Sequence, residues 1–485
     1  MTLTGLLMEG LGRVAEQRTV AIRVSWDGRI SPMRLCRSVA CASATIIGIW
    51  LCWHISAQAD ERTELFDSDP RHVSNQLYRQ LHVRTETGGK EYGFDALDPL
   101  LWRETNYLLS GKSQAQAITL ADKFLRTHAE RQISNPTKRA ILQRDIWAVF
   151  DWADEPDQAG LAHQEERREL MAKLALIVRR LALSPDELAQ LPDTYARAVR
   201  NHEFPAAYDR TNPNQAFLPL DLFDPSGPWV CLGAPNHELA APLHDASFTA
   251  RSVILVFARL PGGRGATHAY FRQLAEMRIP LFVRMQDPNW PQPMDVWNPQ
   301  VPQFPAGTEF ALVRKMVLPD VEGDLRLTPV TESVQIRHYT EIPNVNPMAS
   351  RDVALARSFQ EPSAIELSRK LLFSEGRSGL RGVTPSDDTF LILPAMSQGF
   401  DVFEDKAMRV RASSPFVECT GCHLGPGIQS MMSFSFRGNP DEGPVLSPRL
   451  AETTPSEEAE KVIEWAQTQE KWKDLLRLWS AKSPN

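Results

Sequence analysis

Cysteine is scarce in this chain, and most of the signatures that would commit a sequence to a chemistry are missing from it. Six cysteines occur in 485 residues, and three of them, Cys36, Cys41 and Cys52, fall before residue 60. A chain with so few beyond that point is not a disulfide scaffold. An excess of positive charge is absent as well. The formal net charge of −7 argues against nucleic acid as a partner, because phosphate binding calls for a basic face. No apolar run reaches the ~20 residues that cross a bilayer core. The stretch Leu260-Pro261-Gly262-Gly263-Arg264-Gly265 lacks the Gly-Lys-Ser/Thr ending that grips phosphate and magnesium, so it reads as a turn before a helix. There is no second C-x-x-C to complete a four-cysteine zinc site, no recognisable catalytic triad and no carboxylate pair in a catalytic setting.

What the chain does have is bulk and an address. With 42% hydrophobic residues it can fill sizeable cores, and its length predicts two or three domains, since one core seldom grows past about 250–300 residues. From Met33, Arg34 and Arg37 precede an apolar run from about Ala42 to Ile55, followed by Ala57-Gln58-Ala59. A basic start, a short apolar core and a small-x-small site form a secretory signal peptide. Residues 1–59 are therefore expected to be a signal peptide with its natural start at Met33, leaving no transmembrane span once it is removed. Cleavage after Ala59 takes away six basic and three acidic residues and moves the net charge from −7 to −10.

One stretch names a chemistry. Cys419-Thr420-Gly421-Cys422-His423 spells C-x-x-C-H, in which two thiols three residues apart can each add across a vinyl group of haem while the next residue offers an imidazole to the iron. By this motif the chain resembles the c-type cytochromes. The resemblance implies one covalent haem c, with Cys419 and Cys422 as thioether residues and His423 as the proximal, metal-binding ligand. It also implies attachment outside the cytoplasmic membrane, in keeping with the export signal, so the protein is expected to be periplasmic or secreted.

The hydrophobic period divides the remainder. Residues 60–205 read as a helical domain: Pro136 follows Asn135 as a first-turn proline, the run Glu165 to Leu183 is amphipathic, and Ser184-Pro185-Asp186-Glu187 starts another helix. Residues 206–343 change to short β-branched and aromatic runs at Trp229–Leu232, Ser252–Arg259, Pro280–Met285, Phe310–Leu318 and Leu325–Tyr339, the pattern of a mostly antiparallel β domain. Six prolines between Pro288 and Pro305 mark an extended surface segment. Residues 344–485 form a small, mainly helical haem region, with a short helix over Ser363–Phe373 and a last helix begun by Thr454-Pro455 that carries Trp465, Trp472 and Trp479 at seven-residue spacing. The fold class expected is α+β, multidomain.

Other ligand sets were weighed against packing. Cys231, His237 and His244 lie within fourteen residues and could suit zinc, but a fourth ligand is missing. For the distal side of a haem, only Met431 and Met432 follow the motif. Met396, Met408 and His338 lie upstream, His338 on the face of its strand shared with Val334 and Ile336. The sixth ligand is thus expected to be weak, absent or borrowed from upstream. The leading functional expectation is an exported monohaem electron carrier working with a redox partner protein. Its rivals are an open-haem oxidoreductase or gas sensor, and a non-haem envelope module whose C-x-x-C forms a disulfide. The sequence leaves the oligomeric state open. Mass spectrometry of the native N-terminus is expected to find the mature chain beginning at or near Asp60, and a chain that retains residues 33–59 would be membrane-anchored instead.

Overall fold

Capping residues set where the helices begin. In the computed structural model the Asn135 side chain accepts from the Lys138 amide at 3.2 Å and Pro136 occupies the first turn, which opens a helix at Pro136–Ala153. Ser184 with Glu187, and Thr454 with Glu457, form reciprocal capping boxes, each followed by proline at the first helical position. The structure describes residues 65–85, 91–95, 108, 111–154, 164–235, 238–248, 251–277, 279–280, 282–286, 294–342, 359–384, 387, 390–392, 411–413, 423, 427–432 and 450–480. The expected signal peptide at 1–59 lies outside these residues, as do Cys419, Cys422, His237, Met396 and Met408.

The helices are α1 Val73–His82, α2 Gly111–Arg126, α3 Pro136–Ala153, α4 Gln164–Leu181, α5 Pro185–Ala189, α6 Thr194–Arg200, α7 Pro242–Phe248, α8 Gly263–Glu276, α9 Arg369–Leu372, α10 Ile428–Met432, α11 Pro455–Thr468 and α12 Glu470–Ser480. Seven strands make the main sheet: β1 Val230–Gly233, β2 Ser252–Arg259, β3 Glu309–Pro319, β4 Leu325–Tyr339, β5 Gln360–Leu367, β6 Leu380–Gly382 and β7 Ala451–Glu452. Their order is β6-β5-β4-β3-β2-β1-β7, antiparallel throughout. The class is α+β. Among the described residues no helix is long and apolar enough to cross a membrane.

Both faces of the sheet are covered, and β2 shows why it is apolar almost without interruption. Val253, Leu255 and Phe257 join a cluster shared with α3, α4, α11 and α12, whereas Ile254, Val256 and Ala258 join a second cluster with α8, Phe304, Phe310, Tyr339 and Ile428. Fully burying each such side chain is worth about 1.5–3 kcal/mol. The first cluster draws on all three expected segments, with Leu142 and Leu174, Val253 and Val334, and Leu367 and Trp472. The period changes near 205 and 343 therefore coincide with changes of element type around a shared core. Helix α3 lies at its centre, buried from Ala140 to Ala153. Its fully buried charges are paired: Arg144 Nε meets Glu332 of β4 at 2.9 Å with both side chains fully buried, and Arg369 meets Asp145. Glu332 also accepts from the Ser252 hydroxyl at 2.5 Å and forms an ion pair with Arg314, whose Nε lies 3.1 Å away.

Several elements depart from expectation. Ser363–Phe373 is not one helix: its first half belongs to β5, which pairs with β4 from Ser333↔Glu366 to Tyr339↔Gln360, and only Arg369–Leu372 turns helically under a Ser368 cap. A free strand edge offered by β4 outweighs the weak helical period of that short run. The tryptophan element is two helices, parted where Gln469 takes extended backbone (ψ 140°). Trp472 and Trp479 are buried in the helical cluster, Trp472 against Trp147 at 5.7 Å between ring centres, so this stripe packs the core. The proline-rich segment ends inside the fold, with Val301 and Phe304 buried.

Asp154, capping the C-terminus of α3, has its pKa raised to about 7, mainly by burial and then by the neighbouring Asp474 and Asp151 carboxylates. Between its ordinary value of 3.8 and about 7 the folded chain holds a proton that the unfolded chain has released. Stability therefore falls as pH rises through that window, and the loss is complete above it. Asp154→Asn is expected to flatten this part of the profile, read from urea midpoints at pH 4.5 and 8.

Candidate functional site

The site is built on the face of the sheet away from α3. Along β4, Val334, Ile336 and His338 share one face and Arg337 and Tyr339 the other. Tyr339 packs at 4.8 Å from Phe304 and donates its hydroxyl proton to the Ser430 hydroxyl at 2.5 Å. That contact docks α10, a single turn opened by Gly427. The Gly427 backbone has a φ of +54°, and a Cβ there would overlap the Gln303 amide, whose oxygen accepts from the Ile428 N–H at 2.9 Å. A residue with a side chain fits neither the conformation nor the space. The Ser430 hydroxyl donates to the Gly427 carbonyl at 2.8 Å and closes the turn.

His423 is held from two sides. Its backbone carbonyl accepts from Gln360 Nε2 at 2.9 Å, and Gln360 in turn accepts from Arg337 at 2.7 Å. Its ring Nδ1 meets the Ser430 carbonyl at 2.8 Å. A carbonyl only accepts, so Nδ1 carries the proton and the lone pair resides on Nε2. An Nδ1–H donated to a backbone carbonyl is how proteins orient a metal-ligating histidine and raise its basicity.

The structure also brings in a residue that the motif does not announce. His244, on α7, presents its ring to His423 with the planes 15° apart and the centres 6.0 Å apart. Both residues are partly buried. Burial, and then the nearby Arg337 charge, push the pKa of His244 down to about 4 and that of His423 to about 3, the latter lowered further by His244 and partly offset by the Ser430 carbonyl. Near neutral pH both imidazoles are uncharged, the form that ligates metal. Beside His244, Asp245 is buried, and burial holds its carboxyl well above the ordinary range.

The other sequence candidates are placed elsewhere. Cys231 on β1 packs in the helical-side cluster with its thiol pushed up to about 12 by burial, whereas α7 lies on the opposite face, so the zinc grouping of Cys231 with His244 is not brought together. His338 points toward the helical side, stacked on Tyr208 at 4.5 Å and donating through Nδ1 to Glu309 at 2.9 Å, away from His423. Met431 packs against the second cluster. The sequence singled out His244 only for zinc beside Cys231 and His237, and its approach to His423 had no local sign because the two lie 179 positions apart (244 to 423). A further acidic group, Asp320, Glu322 and Asp324, belongs to the β3–β4 turn, where Arg326 pairs with it. No family model matches the chain, and the comparisons with characterised proteins and with solved structures likewise return no match.

Gly427→Ala is expected to destabilise the fold by at least about 1–2 kcal/mol through the left-handed backbone alone, seen as a lower urea midpoint. Adding Gln303→Ala should recover the part due to overlap and leave the backbone part.

Proposed function

We propose that this protein is an exported monohaem c-type cytochrome-like electron carrier, in which haem c is attached through Cys419 and Cys422 and His423 is the proximal ligand. The observation that carries this reading is the Nδ1 contact from His423 to the Ser430 carbonyl, 2.8 Å long, in the residue that completes C-x-x-C-H. It leaves Nε2 as the free ligand atom and fixes the ring before any group arrives. The residues present suit a haem in other respects: two neutral imidazoles, a packed apolar cluster of Ile428, Phe304 and Tyr339 that carries the turn bearing Ser430, and a cation, Arg337, close enough to lower the pKa of both rings.

Bound haem supplies one-electron chemistry. The protein's own residues do the remainder. Gln360 and Ser430 hold His423 in one orientation, so that little has to reorganise when charge changes. The Arg337 charge disfavours a more positive centre, which biases the site toward its reduced form. Residues 344–485 form the haem-binding region under this reading, the compartment is extracytoplasmic, and the electrons pass to or from a partner protein.

The test is expression in a host that attaches haem c, followed by denaturing electrophoresis with a stain for covalent haem. The intact protein is expected to stain, and Cys419→Ala with Cys422→Ala to remove the stain. His423→Ala should keep it while the iron loses its strong axial field. An intact protein that never stains, and whose Cys419 and Cys422 are found joined as a disulfide, would instead favour the envelope-module reading.

A further inference from the structure

Resting on that haem assignment, we infer that His244 is the sixth ligand, so that the iron is held between two histidines and is closed to external ligands. The argument starts from the spacing of the two rings. The ring centres lie 6.0 Å apart with their planes 15° apart, within the about 4.5–7 Å that offset rings can span by packing alone. One metal atom that binds a nitrogen of each ring calls for a separation of the same size. Metal–imidazole bonds run about 2 Å, and each nitrogen lies a little over an ångström from its ring centre, which puts the two centres about 6 Å apart. The two histidines arrive from unrelated parts of the chain, one on α7 ahead of the central strands and one beside α10 after them, and no shared sequence motif explains their approach.

Two of the other residues considered for this position, His338 and Met431, do not compete. His338 faces the opposite side of the sheet and is occupied by Glu309 and Tyr208. Met431 is committed to apolar packing. His244 is also anchored where it is: Pro242 begins its helix, the His244 amide bonds the Ala241 carbonyl at 2.9 Å, and Ala241 is buried in the second cluster. A filled sixth position suits electron transfer, whereas an open one would admit a small ligand or peroxide. The inference therefore separates the electron-carrier reading from the open-haem rival.

Spectroscopy of the holoprotein tests this directly. The reduced intact protein is expected to be low-spin and unchanged by carbon monoxide. Its oxidised form should give a rhombic low-spin electron paramagnetic resonance signal, because nearly parallel imidazole planes act on the same pair of iron orbitals. His244→Ala should retain covalent haem, become high-spin and bind carbon monoxide, and added imidazole should restore the low-spin spectrum. His244→Met should remain low-spin with a raised potential, since thioether ligation favours reduced iron. Covalent haem in an intact protein that binds carbon monoxide at once, or a His244→Ala variant that stays low-spin and inert, would overturn the His244 assignment while the haem itself stands. An intact protein without covalent haem would overturn both, and the stain distinguishes the two failures.

Discussion

Two unpaired charges buried beneath the sheet would unfold this protein, and their pairing fixes the register on which everything else depends. Arg144 and Asp145 are adjacent on α3, and each finds its partner on or beside a strand: Glu332 on β4 and Arg369 just past β5. Removing one member of such a pair leaves a bare charge in a low dielectric, at a cost of about 3–5 kcal/mol. Glu332 faces the helices. Glu332 sits at a bulge against β3, and beyond it Val334 and Ile336 face the helices, so Arg337 and Tyr339 face the other way, toward α10. A slip of one residue would turn Ile336 and His338 toward α10 and bury Arg337 among the helices. The site is thus specified partly from the far side of the sheet, by residues that never approach His423.

From the sheet outward the arrangement is a relay of hydrogen bonds. Tyr339 locates Ser430, the Ser430 carbonyl orients His423, and Gln360 links the His423 backbone to Arg337. All of these residues sit on or beside rigid elements, and Gly427 supplies the one conformation that an ordinary residue would resist. Few of them would be singled out as chemically important in isolation. Their value lies in holding an imidazole nitrogen at one place.

Local signals in the sequence were legible wherever a single segment decides its own structure. The capping boxes at Ser184 and Thr454 mark real helix starts, and the apolar runs at Ser252–Arg259 and Leu325–Tyr339 are strands with those bounds. Segments whose state is decided by a neighbour were not. Ser363–Leu367 pairs because β4 has an open edge, and Val301 and Phe304 are buried because Tyr339 and Phe310 lie beneath them. The site divides in the same way. C-x-x-C-H announces His423, since its five residues are contiguous. His244 has no local mark: a lone histidine on a short helix of seven residues carries information only through its approach to a residue that the chain reaches much later.

That separation has a mechanical side. Between residues 244 and 423 the chain runs through β2, β3, β4, β5 and β6, five of the seven strands of the sheet. A bond shared by His244 and His423 would tie off this whole length as one closed loop. Loop closure restricts the unfolded chain by an amount that grows slowly with the logarithm of the loop's length, so even so long a tie retains its effect. The prosthetic group would then act as a clasp on the sheet as well as a carrier of electrons. Its release on one side would loosen the antiparallel ladder from the end where β4 meets β5.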